Sequence, residues 1–179
     1  SSMSTSATNG VYNFGAGDAT SAGDRAVGFI SSSSGTKSGN LYVRFTNNTG
    51  GELNGVYVAY DVEKYRQGSN ASGFTVQLYY SLDDSTYVQA PHANGLFTTS
   101  FGADADNSGY ASAPGETRTV HNQYVAFHAP VPPNGDFYLA WNYSVSSLST
   151  TSNAQALGID NVVVGATYAP VALSGFAVE

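Results

Sequence analysis

Five residues able to do chemistry fall within six positions of "AYDVEKYRQG": Asp61, Glu63, Lys64, Tyr65 and Arg66. On an extended strand Asp61 and Glu63 share a face roughly 6.6 Å apart, within the span that glycosidases use for paired carboxylates. Any strand with acids at i and i+2 meets that spacing, so it does not single out catalysis. Tyr65 joins the two acids on that face. Val62, Lys64 and Arg66 point the other way, and the two cations are expected near a sheet edge where their heads reach water.

The same face suits a gentler chemistry. A sugar needs a flat aromatic ring and side chains that exchange hydrogen bonds with its hydroxyls. Glu63 and Tyr65 offer this, as do Tyr42 and Arg44 on an earlier strand and Gln77 and Tyr79 on a later one. Together these six residues are the expected carbohydrate-binding surface, if their strands are neighbours. Against this stands the general enrichment of tyrosine in sheets. Trp141 alternates in step with Phe137 and Leu139 and is expected in the core.

A second cluster is acidic. Asp18 and Asp24 flank a glycine-rich loop near the N-terminus, Asn13 precedes it, and Asp160 lies in "LGIDNV". Calcium takes six to eight oxygens from carboxylates, amides and carbonyls. Asn13, Asp18, Asp24 and Asp160 are therefore expected to hold a structural Ca²⁺, the alternative being turn caps that accept backbone hydrogen bonds. "DADNSG" at 104–109 departs from the calcium-loop order at its fifth position, Ser108, and reads as a polar turn. His121 and His128 are too far apart along one strand to share a metal, and no nucleophile-elbow, zinc-helix or phosphate-loop pattern occurs.

These residues need strands to carry them. "GNLYVRFT" alternates Leu41, Val43 and Phe45 against Tyr42, Arg44 and Thr46, and "GFTVQLYYS" and "DFYLAWNYSV" behave alike. Further strands are expected at Val11–Phe14, Arg25–Ile30, 52–66, Leu96–Phe101, 117–131, 155–168 and 171–179, with a hairpin turn at Asp83–Ser85. No stretch has a helical period. Many short strands between Gly-, Asn- and Ser-rich turns predict an all-β fold, an antiparallel two-sheet β-sandwich of jelly-roll type. Residues 1–10 are read as a disordered or expression-derived N-terminus, and 11–179 as a single domain.

Composition narrows the functions. The chain has 179 residues, 41% hydrophobic and 11% charged, enough to build a core. Its net charge of −7 and lack of a basic stripe argue against nucleic acid. It has no cysteine, so disulfides and thiolate chemistry are excluded. No apolar run approaches the length of a membrane span, so membrane insertion is not expected. Sparse lysine with abundant Tyr, Asn, Ser and Thr suggests a secreted or cell-surface protein.

"GDRAVGFISSSSG", "YVRFTNNTGGELNGVYVAYDVEKYRQG", "LYYSLDD" and "FYLAWNYS…ALGIDNVVVGA" together resemble an accessory jelly-roll-like β-sandwich domain of secreted and cell-surface bacterial proteins, similar to carbohydrate-binding modules. The likeness runs from about Asn13 to Gly165 and is strongest over Arg44–Gln67. It implies a non-catalytic carbohydrate-binding or adhesive role, tethered to other domains. Lys64-Tyr65-Arg66 corresponds to its basic-aromatic element, with Tyr65 where many relatives have Trp, and Asp160 to its acidic motif. The favoured expectation is a polysaccharide-binding module that is not an enzyme. A structural or adhesive surface domain without a small ligand and a carboxylate-based glycan hydrolase or lyase stand as alternatives.

Overall fold

The computed structural model describes residues 8–15, 23–33, 38–91, 95–145 and 152–167. They form ten strands: β1 (Gly10–Gly15), β2 (Arg25–Ile30), β3 (Gly39–Thr46), β4 (Leu53–Arg66), β5 (Phe74–Ser81), β6 (Val88–Gln89), β7 (Thr98–Phe101), β8 (Glu116–Val131), β9 (Asp136–Val145) and β10 (Ala156–Gly165). The strand expected at 171–179 lies outside the described residues, as does Asp18.

Two antiparallel sheets result. The first has the order β1-β2-β10-β4-β8; the second runs β3-β9-β5-β6, with β7 also paired to β5. Successive strands from β2 to β5 alternate between the sheets, and so do β8, β9 and β10. Each inner face is apolar by the two-residue period of a strand. Val58, Tyr60 and Val62 of β4 meet Leu78, Leu139 and Trp141 of the second sheet in the core. Trp141 is 1% exposed, with its ring edge-on to Tyr60 at 5.5 Å, which is the core position expected for it.

Two turn systems fix the ends. Asn47, 1% exposed, donates from Nδ2 to the carbonyls of Gly51 (2.7 Å) and Val131 (2.9 Å), tying the β3–β4 turn to the end of β8. At the opposite end the segment 102–115 packs against the end of β4: the Gly115 N–H reaches the Lys64 carbonyl and the Gln67 N–H reaches Ser108. Asp106 accepts the Ser108 N–H at 2.8 Å, the polar turn expected of "DADNSG".

Candidate functional site

Residue parity sorts the expected site residues onto two outer faces that look away from each other. In the first sheet Gly158 pairs with both Gly28 and Glu63, and Asp160 pairs with Asp61. Paired residues of antiparallel strands share a face. Asp24, Ala26 and Gly28 of the second strand and its lead-in therefore join Asp61, Glu63, Tyr65 and Asp160 on one outer surface. On it the rings of Tyr12, Phe14 and Tyr65 stack in sequence, with centroids 5.4 and 4.5 Å apart. Gly158 makes room for them, since a Cβ there would sit 2.8 Å from that of Ala26 and 3.0 Å from the Phe14 ring.

This aromatic cover overturns the expected exposure of Glu63 and Tyr65. Tyr65 is 1% exposed and Glu63 5%, and the tyrosine hydroxyl donates to Glu63 Oε2 at 2.5 Å. Neither can stack on or hydrogen-bond a polysaccharide at the surface, and both lie on the sheet opposite Tyr42, Gln77 and Tyr79. Lys64 and Arg66 also depart from expectation. Both are buried on the inner side of β4, Lys64 against Asp104 of the 102–115 segment and Arg66 against the Ala154 backbone. Lys64 Nζ lies 2.7 Å from Asp104 and 3.0 Å from Glu116, and Arg66 donates to the Ala154 carbonyl.

What Glu63 gains is acidic company. Oxygens of Asp24, Glu63 and Asp160 lie within 4.8 Å of one another, close enough to chelate a divalent ion. Asp24 and Asp160 were expected in such a cluster, whereas Glu63 was assigned to the sugar. Asn13 does not join them. Its neighbour Phe14 stacks on Tyr65, so strand alternation turns Asn13 to the opposite face of the sheet. Asp61 stands beside the cluster with its oxygens taken by Thr119 Oγ1 and by Asn161 Nδ2, the latter at 2.8 Å. Asn161 holds a positive φ of 50° where β10 shifts register against β4, and this bulge aims its amide at Asp61.

The electrostatics follow from crowding. Burial raises the Glu63 carboxyl above its ordinary value, offset in part by the Tyr65 hydroxyl and reinforced by Asp160, Asp24 and Asp61. Burial and Asp24 likewise raise Asp160. Burial and the adjoining Glu63 carboxylate push the Tyr65 hydroxyl far up, so it remains a donor. Asp160 Oδ2 is buried with no protein donor among the described residues.

The second outer face is different. Tyr42 pairs with Ala140, which pairs with Tyr79; Asn40 pairs with Asn142, which pairs with Gln77. Tyr42, Gln77 and Tyr79 thus share one surface, but Gln77 is buried and its amide donates to the Leu78 carbonyl, so it is not free for a sugar. Arg44 sits one row further along, 3.8 Å from Asp136. A hollow of about 220 Å³ is lined by Asn40, Tyr42, Tyr79, Tyr87, Ala140 and Asn142. A second, of about 490 Å³, adjoins it and shares Tyr79 and Asn142. Tyr42 is 55% exposed, and Tyr87 meets it edge-on at 5.2 Å.

Tyr87 was missed in the sequence, because it lies outside any alternating run. Its position comes from the turn before it. Asp83 accepts the backbone N–H groups of Ser85 (2.8 Å) and Thr86 (2.7 Å) as well as the Ser81 hydroxyl (2.9 Å). Those bonds hold the Asp83 carboxyl well below the usual carboxylate range. The turn so fixed delivers Tyr87, whose hydroxyl donates to Asp84 at 2.7 Å. Gln77 is braced at the floor, accepting from Gln89 Nε2 and from the Thr98 hydroxyl.

Comparison with protein-family models finds no match, and comparison with curated proteins finds none either. The functional reading therefore rests on these two surfaces. No helix of the described residues is long and apolar enough to cross a membrane.

Proposed function

We propose that this domain is a non-catalytic carbohydrate-binding module of a secreted or cell-surface protein, and that the outer face of the second sheet is its binding surface. The observation that carries the reading is the hollow where Tyr42, Tyr79 and Tyr87 surround the amides of Asn40 and Asn142. The exposed Tyr42 ring and the half-buried Tyr79 and Tyr87 rings supply flat contact at low entropic cost, and amides exchange hydrogen bonds with hydroxyls in both directions. A non-catalytic role is supported by the carboxylates. None lines this hollow among the described residues, Asp61 is engaged by Thr119 and Asn161, and Glu63 is buried under Tyr65. A jelly-roll reading of the sandwich is supported by the sheet orders β2-β10-β4-β8 and β3-β9-β5-β6, in which consecutive strands alternate between sheets.

The proposal includes a structural Ca²⁺ held by Asp24, Glu63 and Asp160. Three carboxylates converge there, and one of their oxygens, Asp160 Oδ2, is buried with no hydrogen-bond partner among the described residues. The ion would cancel repulsion between β2, β4 and β10 and lies on the sheet opposite the proposed sugar surface.

Affinity electrophoresis in gels containing polysaccharides tests the reading. The wild type is expected to be retarded in at least one gel, and Tyr42→Ala and Tyr79→Ala to migrate freely with unchanged melting temperatures. Retardation that survives both substitutions would place any binding elsewhere. No retardation in any gel would favour a structural or adhesive domain without a small ligand.

A further inference from the structure

Resting on that binding surface, we infer that the ligand is an internal stretch of an uncharged polysaccharide, spanning several sugar units. Two observations carry this. The first is charge. None of the described residues lining either hollow is an Asp, Glu, Lys, Arg or His. Among the described residues, the cation of that face on β3, Arg44, lies one row beyond and faces Asp136. A polyuronate or sulfated chain would find no cation among the described residues lining the hollows and would approach a molecule of net charge −7. Recognition of such anions relies on charge-assisted bonds from Arg or Lys. The lining instead offers amides and hydroxyls, which match neutral hydroxyls.

The second observation is continuity. The two hollows meet at Tyr79 and Asn142 and continue to Ser100 and Ser144, so the surface is a diagonal trough rather than a closed pocket. From Tyr42 to Ser100 it crosses from β3 over β9 and β5 to β7, and descends four residues along β5. Strand spacing and rise make that path roughly 20 Å, room for roughly four hexose rings. Tyr42 and Tyr87 stand at one end, Tyr79 marks the junction, and Thr75 and Ser144, 3.3 Å apart, lie toward the other end. A trough of this kind accepts the middle of a chain and needs no chain end.

The test is affinity electrophoresis in neutral gels (a β-glucan, a xylan, a mannan) and acidic gels (pectate, alginate), each at low and high salt. A length series of oligosaccharides from the retarding polymer then serves as competitors. Expected are retardation only by neutral polymer, a shift of less than about twofold on adding salt, and competition strengthening at least roughly tenfold from disaccharide to tetrasaccharide. Tyr42→Ala, at a position more than half exposed, should abolish retardation while the protein stays folded. Retardation by acidic polymer that Tyr42→Ala removes would overturn the uncharged ligand and leave the surface standing. A monosaccharide competing as well as the tetrasaccharide would overturn the extended trough. Absence of retardation in every gel would overturn the binding reading itself, and this inference with it.

Discussion

Glu63 shows how one buried carboxylate can couple a cation to the stability of a sandwich. Its Oε2 accepts the Tyr65 hydroxyl, Phe14 stacks over Tyr65, and Asp24 and Asp160 stand close by. Burial, Asp160 and Asp24 raise the carboxyl above its ordinary value of 4.5 against the opposing Tyr65 hydroxyl, and Asp160 is raised as well. A folded-state pKa above the unfolded value means the folded state holds its proton more tightly. Stability from that source is present at low pH and is lost as pH rises from the ordinary carboxylate value through the raised one. In EDTA the melting temperature should therefore be higher near pH 5 than near pH 7, as far as these two groups govern it. Calcium should reverse that trend by favouring the ionised cluster, with a stabilisation that grows with free ion concentration. Glu63→Gln should keep an acceptor for Tyr65, melt higher than wild type in EDTA at pH 7, and lose the calcium shift. Differential scanning fluorimetry across pH, with calcium or EDTA, reads all three. A full calcium shift in Glu63→Gln would remove this residue from the cation site.

At the scale of the element, the end of β4 decides how much a local sequence can say. In β3 the alternation of Leu41, Val43 and Phe45 with Tyr42, Arg44 and Thr46 predicts both the strand and its inner face, and the strand extends over Gly39–Thr46. β4 alternates in the same way, but from Val62 to Arg66 every residue is buried. The outer side is closed by the Phe14 ring and the inner side by the 102–115 segment, and both lie some 35 or more residues away in sequence. Periodicity reports which face a side chain takes; what covers that face is a long-range property. Tyr65, Lys64 and Gln77 depart from expectation for this reason, and the shared face of Tyr42 and Tyr79 is readable because pairing through β9 sets it.

Lys64 also carries a prediction about the segment that covers it. Burial alone would lower its amine, and hydrogen bonds to Asp104 and Glu116 more than restore it. Asp104 additionally accepts the Gly68 N–H and Gln155 Nε2, each at 2.9 Å. Asp104→Ala would remove the acceptor that Lys64, Gly68 and Gln155 share, leaving Lys64 with Glu116 and Gln155 with the Gly102 carbonyl, and should cost about 2–3 kcal/mol in urea unfolding. Lys64→Met should cost less, because Asp104 keeps two donors and Glu116 keeps Arg118 at 2.9 Å. At the other end of the sandwich, Asn47→Ala removes the amide shared by the Gly51 and Val131 carbonyls and should cost roughly 2–3 kcal/mol. An Asn47→Ala loss below about 0.5 kcal/mol would mean that the backbone bonds of Asn47 to Gly135 and Asn134 suffice to hold the turn.

At the scale of the whole molecule, the two sheets divide the labour proposed for them. The carboxylate cluster lies on the outer face of one sheet and the tyrosine-lined trough on the outer face of the other, with the Tyr60–Trp141 core between. Stacked sheets stand about 10 Å apart, so side chains on the two outer faces share no partner. Effects of mutations so separated add to within about 0.3–0.5 kcal/mol. Glu63→Gln should therefore abolish the calcium shift and leave retardation by polysaccharide unchanged. Tyr42→Ala should abolish retardation and leave the calcium shift unchanged, and the double variant should show the sum of the two. A module built this way would keep its sugar affinity when calcium is removed, up to the temperature at which it unfolds. The decisive measurement is polysaccharide affinity in EDTA well below the melting temperature. A fall there of more than about tenfold, or 1.4 kcal/mol, would show that the sheets are coupled and that the cation helps shape the trough from the far side of the core.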